Sequence, residues 1–315
     1  TSESFFADKF PEKPYESLLI IGGGSTALEI AHIFAAFGSK VTLAVRSETM
    51  LRGLDGDIAP FVKKQLEDVG IRVLYFAGAQ KVSAGDGQKT VTFQDANTGE
   101  TYDITAQELF LAPGIVPNIE NIGLEDIGVE PDERFHIKTD PYGRTNVKGV
   151  WAIGDVTAGP WLAHKASHEG ITAAEAIAQE LGNAEVHPHP LDRNTIPGCT
   201  YCHPQIASVG LTEAKAREAG HEVKVGNFPF IGNGKAIALG EPEGFIKTVF
   251  DAKTGELLGA HMIGAEVTEL IQGFVVGKTL ETTEAELMQT VFPHPTLSEM
   301  MHESTLAAYG RVIHM

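Results

Sequence analysis

Leu18-Leu-Ile-Ile-Gly22-Gly-Gly24-Ser-Thr-Ala27 is a short apolar run broken by a glycine turn. Apolar residues then recur at Leu28, Ile30, Ala31, Ile33, Phe34 and Ala35, until Gly38 ends the pattern. Lys40-Val-Thr-Leu-Ala-Val45 follows as a second strand-like run. The order is strand, glycine turn, helix, strand. In that setting G-x-G-x-x-A points to a dinucleotide-binding βαβ unit. Gly22 permits the tight turn, and Gly24 lets the backbone approach a pyrophosphate at the helix N-terminus. Ala27 stands where a third glycine is common and still allows close packing of helix on strand.

The second strand bears on which dinucleotide fits. A carboxylate about 20 residues beyond the glycines would grip the ribose 2′-hydroxyl of NAD. Here the strand ends Ala44-Val45-Arg46, and Arg52 follows six residues later. Two guanidiniums at that place can hold the 2′-phosphate of NADP through charge-assisted bidentate bonds. The alternatives are that both are solvated surface charges, or that Glu48 contacts a ribose. Beyond them, Asp57 to Gly70 reads as an amphipathic helix and Ile71 to Phe76 as a strand. Lys89–Phe93 and Thr101–Ile104 read as a hairpin, and Glu108 to Ala112 as a strand closing on Pro113-Gly114. A Rossmann-like nucleotide-binding domain over residues 1–113 is expected.

With 315 residues and 43% apolar content, the chain has room for two or three packed domains. No run of about 18 apolar residues offers a membrane span. The opening TSESFFADKFPEKPYES lacks the layout of a signal peptide and reads as a cut end or a linker. A net charge of −18 argues against nucleic acid or an anionic membrane as partner and suits a basic protein. Cys199 and Cys202 have C-x-x-C spacing, and His187, His189 and His203 lie near in sequence, so zinc or redox work is conceivable. Their surroundings read as a strand entering a turn, where residues three apart point to opposite faces. Ordinary reduced cysteines, no metal site and a cytoplasmic setting are therefore expected.

Phe292-Pro-His-Pro-Thr-Leu-Ser-Glu299 places an imidazole, His294, five residues ahead of a carboxylate. Pro295 pushes His294 to an extended conformation. A helix is expected to start near Thr296 or Leu297, with Thr296 as N-cap and Glu299 as its capping-box partner. Glu299 can then face back to His294. A carboxylate on one ring nitrogen fixes the tautomer and raises the basicity of the other, which makes a general base. A capped helix with an incidental histidine is the alternative.

Between these features, residues 145–156 read as a strand ending in Gly154-Asp155, and Gly159 to Gly170 opens a helix. Residues 183–194 read as a linker. Thr212 is expected to cap a helix through Ala219. The remainder alternates strands with helices near 267–279, 283–289 and 297–309, an α+β arrangement. The boundaries expected are 114–187 for a middle segment and 188–315 for a C-terminal domain.

HPTLSE near the end of the sequence, with LAHKA-x-x-EG at 162–170, resembles the flavin disulfide reductases, the class I pyridine nucleotide-disulfide oxidoreductases. The spelling is closest to the dihydrolipoamide dehydrogenase family. The resemblance covers nearly the whole chain. It implies an α/β fold: a Rossmann-like NAD(P) domain, a remnant of a second, FAD-binding Rossmann-like domain, and a C-terminal α+β dimerisation domain. It implies FAD beside Gly114, with Asp155 on the ribityl chain, Gly154 allowing close approach, and Leu162, Ala163 and His164 against the flavin ring. Glu29 matches a glutamate beside the flavin that pairs with a lysine this sequence does not contain. His294 would serve the dithiol-disulfide centre of the partner in a homodimer, oriented by Glu299. The acyltransferase core of a 2-oxoacid dehydrogenase complex would be the larger partner.

The sequence also departs from that family. Members end the second strand in Glu and use NAD, whereas Arg46 and Arg52 resemble the NADP segment of glutathione reductase. An NADP-dependent reductase of another disulfide is thus a second reading. Phe292 stands where the family often has histidine. Members begin with an FAD-binding G-x-G-x-x-G and a redox C-x-x-x-x-C, and this sequence has neither. The chain alone is therefore expected to bind nicotinamide dinucleotide and dimerise without turnover, and a non-catalytic dimerising fragment is a third reading.

Overall fold

A computed structural model describes residues 11–314. The first ten residues of the expected N-terminal linker lie outside the described part. The chain forms two compact units. One comprises residues up to Gly114 together with those from Pro197 onward, and the other is Ile115–Ile196.

Unit one opens with β1 (Ser17–Ile21), α1 (Ser25–Ala36), β2 (Lys40–Ala44), α2 (Ile58–Asp68) and β3 (Arg72–Leu74). With β7 (Glu108–Leu111) the strands form a parallel sheet in the order β3-β2-β1-β7. The apolar run of β1 is buried on both faces, as in parallel sheets covered on both sides. Leu18 and Ile20 pack among Leu28, Ala31 and Phe34 of α1 and Val62 and Leu66 of α2. Leu19 points the other way, into Val91, Phe93 and Ala106 of a second sheet. That sheet is antiparallel: β4 (Ala77–Gly85), β5 (Gln88–Asp95) and β6 (Thr101–Ala106), in sequential order. The expected hairpin is present, with Phe93 opposite Tyr102. Strand β4 was not expected, because AGAQKVSAG is small, polar and mostly exposed, with no apolar alternation to announce it.

From Pro197 the unit continues as a five-stranded sheet, β10-β11-β12-β9-β8, built from β8 (Gly198–Thr200), β9 (Gln205–Gly210), β10 (Val223–Pro229), β11 (Phe245–Asp251) and β12 (Leu257–Gly264). Helices α4 (Glu213–Glu218), α5 (Gly234–Leu239), α6 (Val267–Thr279), α7 (Glu284–Gln289) and α8 (Glu299–Ala308) accompany it. Thr212 caps α4, its side chain accepting from the Lys215 N–H. Every residue of β11 and β12 is buried. One face of the sheet turns Ile246, Phe250, Ala260 and Met262 to Ile271 and Phe274 of α6 and Met300 and Met301 of α8. The other turns Phe245 and Ile263 to the core of the nucleotide-binding half, where Phe61 meets Phe245 edge-on at 5.7 Å.

That second face also carries a charge. Lys247 of β11 is buried, and its Nζ lies 2.8 Å from Asp55 Oδ1, 2.6 Å from Asp57 Oδ2 and 3.0 Å from Glu213 Oε2. Burial pulls the Lys247 pKa down, but the three carboxylates outweigh it and the pKa is raised. Burial likewise acts to raise Asp55, and hydrogen bonds from Lys247 and from the Glu213 and Asp57 backbone hold it below the usual carboxylate range.

Unit two holds α3 (Ala163–Glu180) and a set of short extended segments. The strand expected over 145–156 does not form. Within it Trp151 makes a single bridge to Arg144, Thr157 just beyond it bridges Ile137, and Gly154–Val156 is a 3-10 turn. A ladder needs a long extended neighbour, and within 115–196 the described segments are too short to supply one. Residues 188–196, expected to open the third domain, run with this unit. The Thr172 hydroxyl donates to the His189 carbonyl (2.8 Å), and Arg193 donates to the Ala158 carbonyl (3.2 Å).

Removing Lys247 leaves Asp55 buried and unpaired. Lys247→Ala is expected to cost about 3–5 kcal/mol at neutral pH in denaturant unfolding. Asp55 has a lowered folded pKa, so its contribution is present above the unfolded value of 3.8 and fades as pH falls through the folded value. The penalty of Lys247→Ala should therefore shrink in acid, where Asp55 folds protonated. A penalty that is constant with pH, or under about 1 kcal/mol, would refute this account.

Candidate functional site

The glycine turn follows from backbone geometry. Gly22 has φ +145°, and a Cβ there would overlap the Ala112 carbonyl oxygen at the end of β7. Its N–H donates to the Ala44 carbonyl (3.0 Å), which closes the turn against β2. Gly24 is the N-cap of α1, and a Cβ there would meet nothing within 4 Å. The first turn of α1 has neither a side-chain cap nor an acidic residue. Its N–H groups thus have no side-chain cap, which suits a bound phosphate. Ala27 is fully buried beneath them.

The loop carrying Arg46 and Arg52 is fixed to this turn, since the Leu51 N–H donates to the Gly23 carbonyl (2.7 Å). Both arginines are exposed, and neither has an acidic partner among the described residues. Glu29, one turn into α1, accepts the Tyr201 N–H (2.9 Å), and Ser25 Oγ lies 2.7 Å from Thr200 Oγ1. The start of α1 is thereby joined to the segment after β8. Gly114, at φ +120°, ends this half of the unit.

In unit two, Gly154 packs on the first turn of α3, where a Cβ would lie 3.3 Å from the Ala166 Cβ. Its φ of +75° also favours glycine. Lys165 is buried and donates to the Gly154 carbonyl (3.0 Å) and Thr157 Oγ1 (2.9 Å). Glu169 pairs with Lys165 (3.2 Å) and accepts the Gly154 N–H (2.7 Å). Lys165 and Glu169 belong to the LAHKA-x-x-EG string, but the sequence alone assigns them no role. Their signal is a Lys-Glu pair four apart just inside a helix start, a spacing more often read as surface decoration. Here it clamps both sides of the Gly154 peptide and leaves Asp155 exposed. Leu162 is the N-cap of α3, half-buried, followed by exposed Ala163 and His164. An exposed carboxylate on a rigid loop beside an 18-residue helix that lacks a side-chain cap suits a flavin cofactor.

His294 and Glu299 meet as their spacing suggested. His294 Nδ1 lies 2.9 Å from Glu299 Oε1, and Glu299 Oε2 accepts the Thr296 N–H (2.9 Å). The helix begins two residues later than expected, at Glu299, with Ser298 as N-cap. The Thr296 hydroxyl is taken by the Pro293 carbonyl (2.7 Å) and Ser298 Oγ (2.8 Å), so only the glutamate half of the capping box forms. The His294 side chain is 78% exposed and Glu299 only 23%. The imidazole thus presents Nε2 outward while its other nitrogen is anchored. Burial acts to raise the Glu299 carboxyl, but the Thr296 N–H and the His294 ring hold it below the ordinary range. Phe292 stacks on the His302 ring at 5.5 Å, and His302 is anchored on the Met288 carbonyl (3.0 Å). The sequence also gave no hint of a second pair on the same helix: His314 Nδ1 lies 2.6 Å from Glu303 Oε1.

The two cysteines are free thiols, Cys199 half-buried and Cys202 buried. Burial raises the Cys199 thiol and pushes Cys202 up to about 12. Among the described residues no group of three or more His, Cys, Asp or Glu is placed to hold a metal.

Residues 1–170 match the pyridine nucleotide-disulphide oxidoreductase model, and residues 196–305 match the dimerisation domain of the same family. The chain belongs to the pyridine nucleotide-disulphide oxidoreductases. Within that family it is 52% identical over 306 residues to the dihydrolipoyl dehydrogenase of Zymomonas mobilis, covering 97% of this chain and 64% of the relative. It is 50% identical over 310 residues to that of Rhizobium etli, covering 98% and 63%. The chain therefore spans a little under two thirds of the length of these relatives. The solved LpdA of Mycobacterium tuberculosis matches with a TM-score of 0.85 at 24% identity, over 95% of this chain and 62% of its own, a likeness of fold. The HOCl-induced flavoprotein disulfide reductase RclA of Escherichia coli matches with a TM-score of 0.82 at 26% identity, over 94% and 65%. The His294–Glu299 pair falls inside the family's dimerisation domain.

Neither thiol of this chain is set up as a nucleophile. In the folded chain at pH 8, both should react with Ellman's reagent at least about tenfold more slowly than free cysteine, because the thiolate is the reactive form. Denaturation should release both. A native thiol as fast as free cysteine would contradict the raised values.

Proposed function

We propose that this chain carries the nicotinamide-binding, flavin-contacting and dimer-forming parts of a dihydrolipoyl dehydrogenase. The observation that carries the reading is the exposed His294 imidazole anchored through Nδ1 on Glu299. The relatives at 50% identity and above support dihydrolipoamide as the dithiol. The overall reaction converts dihydrolipoamide and NAD(P)+ to lipoamide, NAD(P)H and one proton. His294 Nε2 takes a thiol proton, which leaves a thiolate able to attack a disulfide. Glu299 stabilises the imidazolium and keeps the ring aimed. FAD, when bound, supplies the two-electron relay between sulfur and nicotinamide. Asp155, Gly154 and the start of α3 at Leu162, Ala163 and His164 would hold it, and Gly114 and Glu29 are assigned to the same cofactor by family resemblance alone. Gly22, Gly24 and Ala27 would seat the pyrophosphate of the dinucleotide.

We further place the protein as a homodimer in which His294 serves the sulfur centre of the partner. The match of 196–305 to a dimerisation domain supports this. The acyltransferase core of a 2-oxoacid dehydrogenase complex is the larger partner, and a net charge of −18 suits a basic surface on it. No helix of the described residues is long and apolar enough to cross a membrane. Two free thiols support a cytoplasmic setting.

In the flavin-loaded enzyme, His294→Gln is expected to slow dihydrolipoamide oxidation by about 10²–10⁴-fold. Nicotinamide binding should be unchanged. Near-normal turnover in that variant would sink the reading.

A second reading, an NADP-dependent reductase of another disulfide, draws on Arg46 and Arg52. Arg46→Ala and Arg52→Ala are each expected to weaken NADPH binding about tenfold while sparing NADH, the worth of one charge-assisted contact. Titration by fluorescence quenching reads both. A wild-type chain that prefers NADH would leave the arginines as surface charges. Faster turnover of oxidised glutathione than of lipoamide would favour the second reading.

A further inference from the structure

Helix α8 carries two carboxylates one turn apart, and each is bound in the same manner. Glu299 gives one oxygen to the His294 imidazole and the other to the Thr296 N–H. Glu303 gives Oε1 to His314 Nδ1 (2.6 Å) and Oε2 to the Ile313 N–H (3.0 Å). The Glu303 side chain is 5% exposed and His314 64%. Residues four apart on a helix share a face, and like charges at that spacing oppose each other. An unpaired Glu303 would thus be a buried anion beside Glu299.

We propose that His314 is a positioning residue for the His294–Glu299 pair. It occupies Glu303 and fixes the segment after α8 along that helix, so that Glu299 stays ionised and directed at His294. The consequence for turnover rests on the dihydrolipoyl dehydrogenase reading, whereas the effect on Glu299 does not.

The surroundings agree. Glu299 is contacted by His294 from the preceding loop, and its own helix adds Glu303 one turn on, which His314 of the following segment contacts. Burial acts to raise the Glu299 carboxyl, and the Thr296 N–H, His294 and, last, His314 act to lower it. The other charged groups nearby are directed elsewhere. Lys224 of β10 sits over the Tyr309 ring at 4.1 Å, Glu286 of α7 accepts from Thr283, and Arg311 reaches the Met288 sulfur at 4.0 Å. His302, between the two carboxylates in sequence, is turned to the Met288 carbonyl.

The test is a carboxyl carbon-13 NMR titration of the full chain with labelled glutamate. His314→Ala should raise the Glu299 midpoint by about half a unit, roughly threefold in its protonation constant, the size of one charge at that helical spacing. His314→Arg restores a cation and should return the midpoint to the wild-type position. An unchanged Glu299 titration in His314→Ala would overturn the proposal, as would failure of His314→Arg to restore it. A merely structural tail would alter amide protection near Ile313 without moving Glu299. The titration needs neither flavin nor substrate, so it can fail while the activity reading stands, and the reverse.

Discussion

A buried ammonium shared by three carboxylates is the constraint on which the arrangement of unit one depends. Lys247 and His261 are opposite each other on β11 and β12, on the face turned to the nucleotide-binding half. Alternation along β11 explains how one strand serves two cores. Phe245 and Lys247 face the Rossmann-like half, while Ile246 and Phe250 face α6 and α8. Apolar contact alone would leave that interface free to slide. Asp55, from the loop before α2, must meet Lys247 at one place, because a buried charge without its partner is costly. His261 beside it is buried, and burial lowers its pKa. Its Nε2 lies 3.0 Å from the Leu211 carbonyl, so that nitrogen carries the hydrogen. Its Nδ1 has no protein partner among the described residues. The ring is thus neutral and adds no second cation to the cluster.

The same reliance on carboxylates recurs at three loops of the candidate site. Glu169 and Lys165 clamp the Gly154 peptide, Glu29 holds the Tyr201 N–H, and Glu299 holds both His294 and Thr296. In each case a carboxylate accepts a backbone N–H and so fixes a loop that regular hydrogen bonding does not reach. The precision of such loops comes from the rigid helix that bears the glutamate.

What the sequence disclosed divides along this line. Features set by neighbouring residues were legible. The glycine turn follows from a positive φ and a close carbonyl. The His–Glu pair follows from a five-residue spacing across a proline, and the Thr212 cap follows from one hydroxyl. Features set by distant partners were not. Lys247 lies in an apolar run and Asp55 is 192 residues away, so nothing local couples them. Residues 145–156 have strand-like composition, yet a strand exists only when paired, and no described neighbour in unit two is long enough. The start of α8 moved by two residues because the Thr296 hydroxyl found Pro293 and Ser298 instead of the helix. Local side-chain competition of this sort is below the reach of a spacing rule.

The cysteines show why spacing alone does not assign chemistry. C-x-x-C at 199–202 is compatible with a redox dithiol. Cys199 lies on the edge strand β8, and Cys202 turns inward, its thiol donating to the Pro204 carbonyl (3.2 Å). Burial keeps both protonated, so neither offers a thiolate at neutral pH. The exposed His294 imidazole, held by Glu299, thus has no ready thiolate among the described residues. On the proposed dihydrolipoyl dehydrogenase reading, His294 acts on a thiol brought to it. That requirement fits a dyad placed in a dimerisation domain, where the reacting sulfur arrives from across an interface or on a substrate.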